Sequence, residues 1–198
     1  MRFILASNNK GKLREMKAIL SELGAEVISQ GEAGLSLEAE ETGATFEENA
    51  LIKARAACEA LKEPAIADDS GLAVEALGGA PGVYSARYGG NVCKSDMDRV
   101  RLLLKNLESE KNRNAKFVSC IACVFPNGNV ITARGECEGV IALTPRGEHG
   151  FGYDPVFELP EKGKTMAELS DVEKNAVSHR GKALKIFEMK LREYNADK

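Results

Sequence analysis

Two adjacent carboxylates, Asp68 and Asp69, sit between an apolar run and a glycine in Ala67-Asp68-Asp69-Ser70-Gly71. Residues 64–67 read as the end of a buried strand, and Gly71 lets the backbone turn sharply just beyond it. A carboxylate pair at a strand end can hold a divalent cation and still leave an oxygen to orient a water. Hard oxygen donors of this kind suit Mg²⁺, which takes a few carboxylates together with substrate phosphates. An isolated Asp-Asp turn is more often simply solvated, so the weight of this reading rests on the neighbours.

The first neighbour is the loop Ser7-Asn8-Asn9-Lys10-Gly11-Lys12, which joins a predicted strand to a helix start. Helix N-termini present free N–H groups and a partial positive charge, the conditions that attract phosphate. Lys12 adds a full charge, while Ser7 and Asn9 offer short side chains to phosphate or ribose oxygens. Neither a GxxxxGK[ST] loop nor a GxGxxG fingerprint is present.

Glu40-Glu41-Thr42-Gly43 precedes a helix that carries Lys53. A glutamate here can complete a metal shell and Lys53 can neutralise a phosphate; an acidic surface loop and a snorkelling lysine are the plain alternative. Gly150-Phe151-Gly152-Tyr153-Asp154 combines flexible backbone, two rings and a carboxylate. Such rings stack on a nucleobase or fill a core, and Asp154 can accept from base or sugar donors. Lys174, Ser178, His179 and Arg180 follow, at the end of one helix and the start of the last. A capping serine beside a surface histidine is the alternative there.

The elements that must hold these residues follow from periodicity. Residues 2–6 read as a strand, and after the loop Leu13, Met16, Ile19, Leu20 and Leu23 repeat at helical spacing up to Gly24. Residues 26–29 can form a second strand, and residues 31–44 lack clear periodicity. Thr45-Phe46-Glu47-Glu48 is a capping box that opens a helix to about Leu61. Residues 72–77 read as a further strand, followed by the loop Gly78-Gly79-Ala80-Pro81-Gly82. Ser95 begins a helix carrying Met97, Val100, Leu103, Leu104 and Leu107. Residues 116–125 and 130–141 form a long hairpin about Asn127-Gly128. Capped helices start near Thr165 and Ser170, and the last helix runs from about His179. Strand–helix units beside an antiparallel hairpin predict α/β architecture with a mixed sheet.

The chain of 198 residues is most simply one domain, with room for two lobes. Its 27 basic and 30 acidic residues leave a net charge of -3, which argues against direct nucleic-acid binding through a broad basic face. The five cysteines, Cys58, Cys93, Cys120, Cys123 and Cys137, do not form a disulfide framework. Cys120 and Cys123 lie three apart in a strand, on opposite faces, and read as buried thiols rather than zinc ligands. The apolar start Phe3-Ile4-Leu5-Ala6 is too short for a secretory or membrane segment, so a cytoplasmic protein without membrane association is expected.

Five ordered motifs together carry a resemblance. They are Ser7-x-Asn9-x-x-Lys12, then Glu41-Thr42-Gly43-x-Thr45-Phe46-x-Glu48-Asn49-Ala50 with Lys53, then residues 67–88, Phe151-Gly152-Tyr153-Asp154, and Ser178-His179-Arg180. In this order they closely resemble the inosine/xanthosine triphosphate pyrophosphatases, which remove deaminated purine nucleotides from the precursor pool. The likeness spans residue 3 to about 191, with no departure at a motif position.

The resemblance implies a homodimer, an elongated mixed sheet flanked by helices, and two lobes with the active site in the cleft. It implies Mg²⁺-dependent cleavage between the α- and β-phosphates of ITP, dITP or XTP, giving monophosphate and pyrophosphate. By motif, Asp69 is expected as general base and metal-linked carboxylate with Asp68 beside it. The Glu40-Glu41 pair is expected to supply a metal ligand, with Glu41 preferred. Residues 7–12, Lys53, Ser70, residues 151–154, Lys174, His179 and Arg180 are expected to bind substrate.

A triphosphate carries about four negative charges, which Lys12, Lys53, Lys174 and Mg²⁺ can neutralise. Donors from His179-Arg180 can satisfy the O6 of a 6-oxo purine and leave an adenine amino group facing another donor. A site built on such bonds rejects the wrong group by ~10⁴-fold or more. Two competing readings are a pyrophosphatase for modified pyrimidine or methylated nucleotides, and a nucleotide sensor without turnover. A sensor, however, has no need of a poised water.

Overall fold

The computed structural model describes residues 2–22, 24–37 and 39–196. In chain order the elements begin β1 (Arg2–Leu5), α1 (Lys10–Glu22), β2 (Glu26–Ser29), α2 (Phe46–Leu61) and β3 (Ala65–Val74). Then come α3 (Asp96–Asn106), β4 (Asn114–Val124), β5 (Val130–Ile141), β6 (Phe157–Leu159), β7 (Lys164–Thr165), α4 (Asp171–Val177) and α5 (His179–Ala196). The strands form one seven-stranded sheet in the order β2-β1-β3-β4-β5-β6-β7. β1 pairs parallel with β2 and β3, whereas β6 pairs antiparallel with β5 and β7, so the sheet is mixed as expected. Parallel neighbours need a crossover, and α1 supplies it between β1 and β2. Between β4 and β5 the chain turns at Gly128, whose φ of 85° is the left-handed conformation that glycine adopts without strain.

The chain divides into two compact units. The first comprises Met1–Asp69, Ser119–Gly135 and His179–Lys198, and the second Ser70–Val118 and Glu136–Ser178. In the first unit, side chains of successive strand residues point to opposite faces, and two cores follow that parity. Phe3, Leu5, Ile66, Ile121 and Cys123 pack with Met16 and Leu20 of α1 and with Leu184 and Phe187 of α5. Ile4, Ala65, Ala67, Ala122 and Val124 pack instead on Ala50, Ala54 and Ala57 of α2. A Cβ at Gly135 would collide with the His179 carbonyl and the Ala183 amide, so this glycine lets β5 lie directly on the first turn of α5. The second unit gathers Leu72, Val74, Leu103, Phe117, Ile141 and Phe157 into its own core.

Most predicted elements are present, including the capping boxes at Thr45 and Ser170. Leu23 lies outside the described residues. Around the aspartates the expectation is corrected: β3 continues unbroken from Ala65 to Val74, through Asp68-Asp69-Ser70-Gly71. Glycine permits a sharp turn without requiring one, and the fully buried Leu72 and Val74 hold the chain extended. The separate strand expected at 72–77 is thus the end of β3, followed by a short 3₁₀ turn over Glu75–Leu77. The capping box at Thr165 likewise opens only a 3₁₀ turn, Met166–Glu168.

All five cysteines are buried and unlinked. Burial pushes the Cys120 thiol up to about 11 and Cys123 higher still, as inert core thiols require. Among the described residues no helix is long and apolar enough to cross a membrane.

Candidate active site

The loop after β1 folds on its own polar side chains. The Ser7 hydroxyl accepts from the Asn9 amide, and Asn9 Oδ1 caps α1 by accepting from the Lys12 amide at 3.0 Å. Buried Gln30 donates to Asn8 Oδ1 at 3.0 Å and to the Leu37 carbonyl at 2.9 Å, tying this loop to the segment that leads to Glu41. Asn8, Asn9 and Lys10 are exposed, and Gly11 is half-buried at the helix start. The capped first turn aims Lys12 inward, where its ammonium meets Asp68 Oδ2 at 2.8 Å.

Because β3 stays extended, Asp68 and Asp69 point to opposite faces. The carboxylate pair expected to share one cation is therefore divided, and this corrects the sequence reading. Asp68 lies on the α1/α5 side with Ile66. Its Oδ1 accepts from Ser119 Oγ at 2.5 Å, and its Oδ2 from Lys12 and from Arg180 Nη2 at 3.1 Å. Arg180 also pairs with buried Glu15 through Nη1.

Asp69 lies on the α2 side with Ala65 and Ala67. There Lys53 Nζ donates to Asp69 Oδ1 at 2.7 Å, to Glu41 Oε1 at 3.0 Å and to the Asp68 carbonyl at 3.0 Å. Asn49 bridges the same group: its amide nitrogen approaches Asp69 Oδ2 at 3.4 Å, and its oxygen accepts from the Gly43 amide at 2.8 Å.

These environments push the two aspartates apart. Burial alone would raise Asp68, but the Arg180 guanidinium and the Lys12 ammonium outweigh it and hold the carboxyl well below the usual range. Burial dominates at Asp69 and raises its pKa despite Lys53 and Lys12. Lys12 is lowered by burial against the pull of Asp68, whereas at Lys53 burial is outweighed by Asp69 and Glu41 acting together, which raise it. One carboxylate is thus a fixed anion, and its neighbour is a proton acceptor of raised affinity.

The donors around Lys53 are of the kind that suits Mg²⁺. Two carboxylates and a carbonyl converge on a single cationic centre, the Lys53 ammonium, which is the hard-oxygen grouping such a cation uses. Among the described residues no cluster of three or more His, Cys, Asp or Glu side chains is poised around a metal position. Glu41 and Asp69 would then hold the cation jointly with substrate oxygens and water, and the residues fit it on those terms. Glu41 is half-buried on Lys53 while Glu40 is exposed, which separates the two glutamates that sequence left open.

The remaining expected site residues take these positions. Ser70 is half-buried in β3, directly after Asp69. In the second unit, Asp154 Oδ2 accepts from the Phe151 amide at 2.8 Å and from the buried Lys174 ammonium at 2.6 Å. The same ammonium lies 5.0 Å from the Phe151 ring centroid, a cation–π contact. Gly152 donates its amide to Asp96 at 2.8 Å. Tyr153 is a core residue whose hydroxyl donates to the Ser85 carbonyl at 2.8 Å, so the core alternative holds for this ring, and Phe151 alone remains half-buried.

His179 opens α5 and is buried. Arg180, assigned by sequence to a purine O6, is 1% exposed and serves Asp68 and Glu15. Glu15, Asn49, Gln30 and Ser119 were missed as candidates. The capped helix starts could have pointed to Glu15 and Asn49, while nothing in the sequence marks Ser119 except its polarity within an apolar strand.

The Ham1 family, described as Ham1p_like, matches residues 3–190 of the chain. A protein named dITP/XTP pyrophosphatase from Haemophilus influenzae is 50% identical over 193 residues, covering 96% of this chain and 98% of that protein. One of the same name from Bacillus subtilis is 50% identical over 184 residues, with 92% of each chain covered. The solved structure of the Staphylococcus aureus Ham1 protein superposes with a TM-score of 0.87 at 43% identity, covering 98% of this chain and 100% of that one. Sequence and fold agree along nearly the whole length of both partners, and the chain belongs to the Ham1 family.

Proposed function

We propose that this protein hydrolyses dITP, ITP and XTP to the nucleoside monophosphate and pyrophosphate, and so removes deaminated purines from the nucleotide pool. The dITP/XTP pyrophosphatase activity rests on relatives of that name at 50% identity over nearly full length. The observation that carries the chemistry is the convergence of Glu41, Asp69 and the Asp68 carbonyl on Lys53.

Lys12 and Lys53 bind triphosphate oxygens and offset the charge that develops on leaving pyrophosphate. Asp69 orients the attacking water and takes its proton on a carboxylate oxygen, a role suited to a carboxylate whose pKa burial has raised. Asp68 stays ionised and holds Lys12 in place. Mg²⁺ held by Glu41 and Asp69 supplies charge neutralisation on the phosphate oxygens when bound. The base is read by His179 at the start of α5 and by stacking on Phe151, and not by Arg180, whose guanidinium is taken up by Asp68 and Glu15. A homodimer in the cytoplasm is the assembly and setting we assign.

Purified protein with Mg²⁺ and a panel of dITP, XTP, ITP, dGTP and ATP tests this reading. Phosphorus NMR should show pyrophosphate and monophosphate from the 6-oxo, 2-deaminated or 2-unsubstituted purines. Inorganic phosphate with nucleoside diphosphate would place the cleavage elsewhere and sink the proposal.

A further inference from the structure

Ser119 is the one hydroxyl in Phe117-Val118-Ser119-Cys120-Ile121-Ala122-Cys123-Val124-Phe125, and it is 0% exposed. Burying a hydroxyl in an apolar strand is unfavourable unless it is hydrogen-bonded, and alanine would occupy the same place. By strand parity Ser119 shares its face with Ile121 and Cys123, the side on which Asp68 lies. Its Oγ donates to Asp68 Oδ1 at 2.5 Å. The other oxygen, Oδ2, takes Lys12 at 2.8 Å and Arg180 at 3.1 Å. Three elements, β4, α1 and α5, therefore grip one carboxylate at both oxygens. It cannot rotate about its Cβ–Cγ bond without giving up a hydrogen bond. The carboxylate is the closer of two Lys12 anchors, the other being the Asp68 carbonyl at 3.3 Å, and an ammonium on a four-carbon stem has little directional preference of its own.

We propose that Ser119 is a positioning residue for the phosphate chemistry: it holds Asp68 with Oδ2 toward Lys12 and so fixes where the Lys12 ammonium meets a triphosphate. This rests on the reading of Lys12 as a phosphate ligand given above. Ser119 touches no substrate; it acts through Asp68 and Lys12.

The test compares Ser119→Ala, Ser119→Thr, Lys12→Met and the Ser119→Ala/Lys12→Met double variant by two readouts. One is the affinity for inorganic triphosphate with Mg²⁺ by calorimetry; the other is kcat/KM for dITP, XTP and ATP. Ser119→Ala should weaken both about tenfold, the scale of one hydrogen bond to a charged group. The factor should be equal for all three nucleotides, since they carry the same phosphates. Ser119→Thr restores the donor and should restore both readouts. Beside Lys12→Met, the alanine change should add less than about twofold, because coupled residues are not additive.

A residue that merely packs would lower Tm without changing affinity, and that result overturns the proposal. So does a full tenfold loss that persists beside Lys12→Met. Should Ser119→Ala fail to fold, Ser119→Cys, of similar size with a weaker donor, carries the same comparison. A wild-type protein that shows this binding pattern yet turns over neither dITP nor XTP would uphold the positioning role and overturn the activity reading.

Discussion

At the scale of single residues, two aspartates that adjoin in sequence have opposite environments. Asp68 is locked by Ser119, Lys12 and Arg180, whereas Asp69 faces Lys53, Glu41 and Asn49. Asp69→Asn keeps the size and loses the charge that accepts a proton, so kcat should fall by ~10²–10⁴ in a well-folded protein. Near-normal kcat in that variant would remove Asp69 from the role of base. The two glutamates separate in the same way. Glu41→Gln should raise the Mg²⁺ concentration needed for half-maximal activity, and Glu40→Gln, altering an exposed side chain, should leave it unchanged. A titration of activity against Mg²⁺ in the three proteins reads this directly; equal shifts for both variants would contradict the assignment of Glu41.

At the scale of elements, the working groups are held by strand parity and capped helix starts. β5 lies against α5 because Gly135 has no side chain there. Gly135→Ala would press a methyl into the backbone of α5, and overpacking of this kind costs about 1–3 kcal/mol. Chemical denaturation should show that loss. A fall in kcat/KM for all triphosphates should accompany it, because Arg180 is in the first turn pushed away from Asp68. Much of this framework was legible in the sequence. The boundaries of α2 and β2, the Asn-Gly turn and the final helix all follow from capping signals, turn chemistry and periodicity. The path of β3 was not, because Gly71 announces a turn that pairing and burial of Leu72 and Val74 override. Nor could sequence assign Arg180 to Asp68, since the two residues are 112 positions apart and meet only through the fold.

For the whole molecule, the two aspartates predict opposite effects of pH on stability. The folded pKa of Asp68 is depressed. Its contribution is therefore fully present above its unfolded value near 4 and is lost as pH falls through the lower folded value. Asp68→Asn takes the ion-pair partner from buried Lys12 and leaves Arg180 with Glu15 alone, a loss on the order of 3–5 kcal/mol at neutral pH. The gap to wild type should narrow as the pH drops below about 4, where the wild-type carboxylate is itself being neutralised. Asp69 behaves in reverse. Its folded pKa is raised, so the favourable state is the protonated one, and that contribution fades as pH rises through the folded value. In the absence of divalent cations, Asp69→Asn should therefore melt no lower than wild type at neutral pH. Melting curves of the three proteins from pH 3 to 8 check both signs; parallel pH profiles would refute the division of roles.

The alternation of β3 gives the chain a reading frame of two. Sliding the strand by one residue would send every side chain to the opposite face, carrying each aspartate to the side where its neighbour belongs. Position 68 requires an anion that can be sealed among cations, and position 69 requires one that can be approached, so the same letter is spelled twice with different meanings. Deleting a residue ahead of Asp68 within β3 would leave composition and charge pattern almost untouched while erasing both roles together. Single-residue deletions among Ala65, Ile66 and Ala67 should thus inactivate the protein although both aspartates remain in the strand.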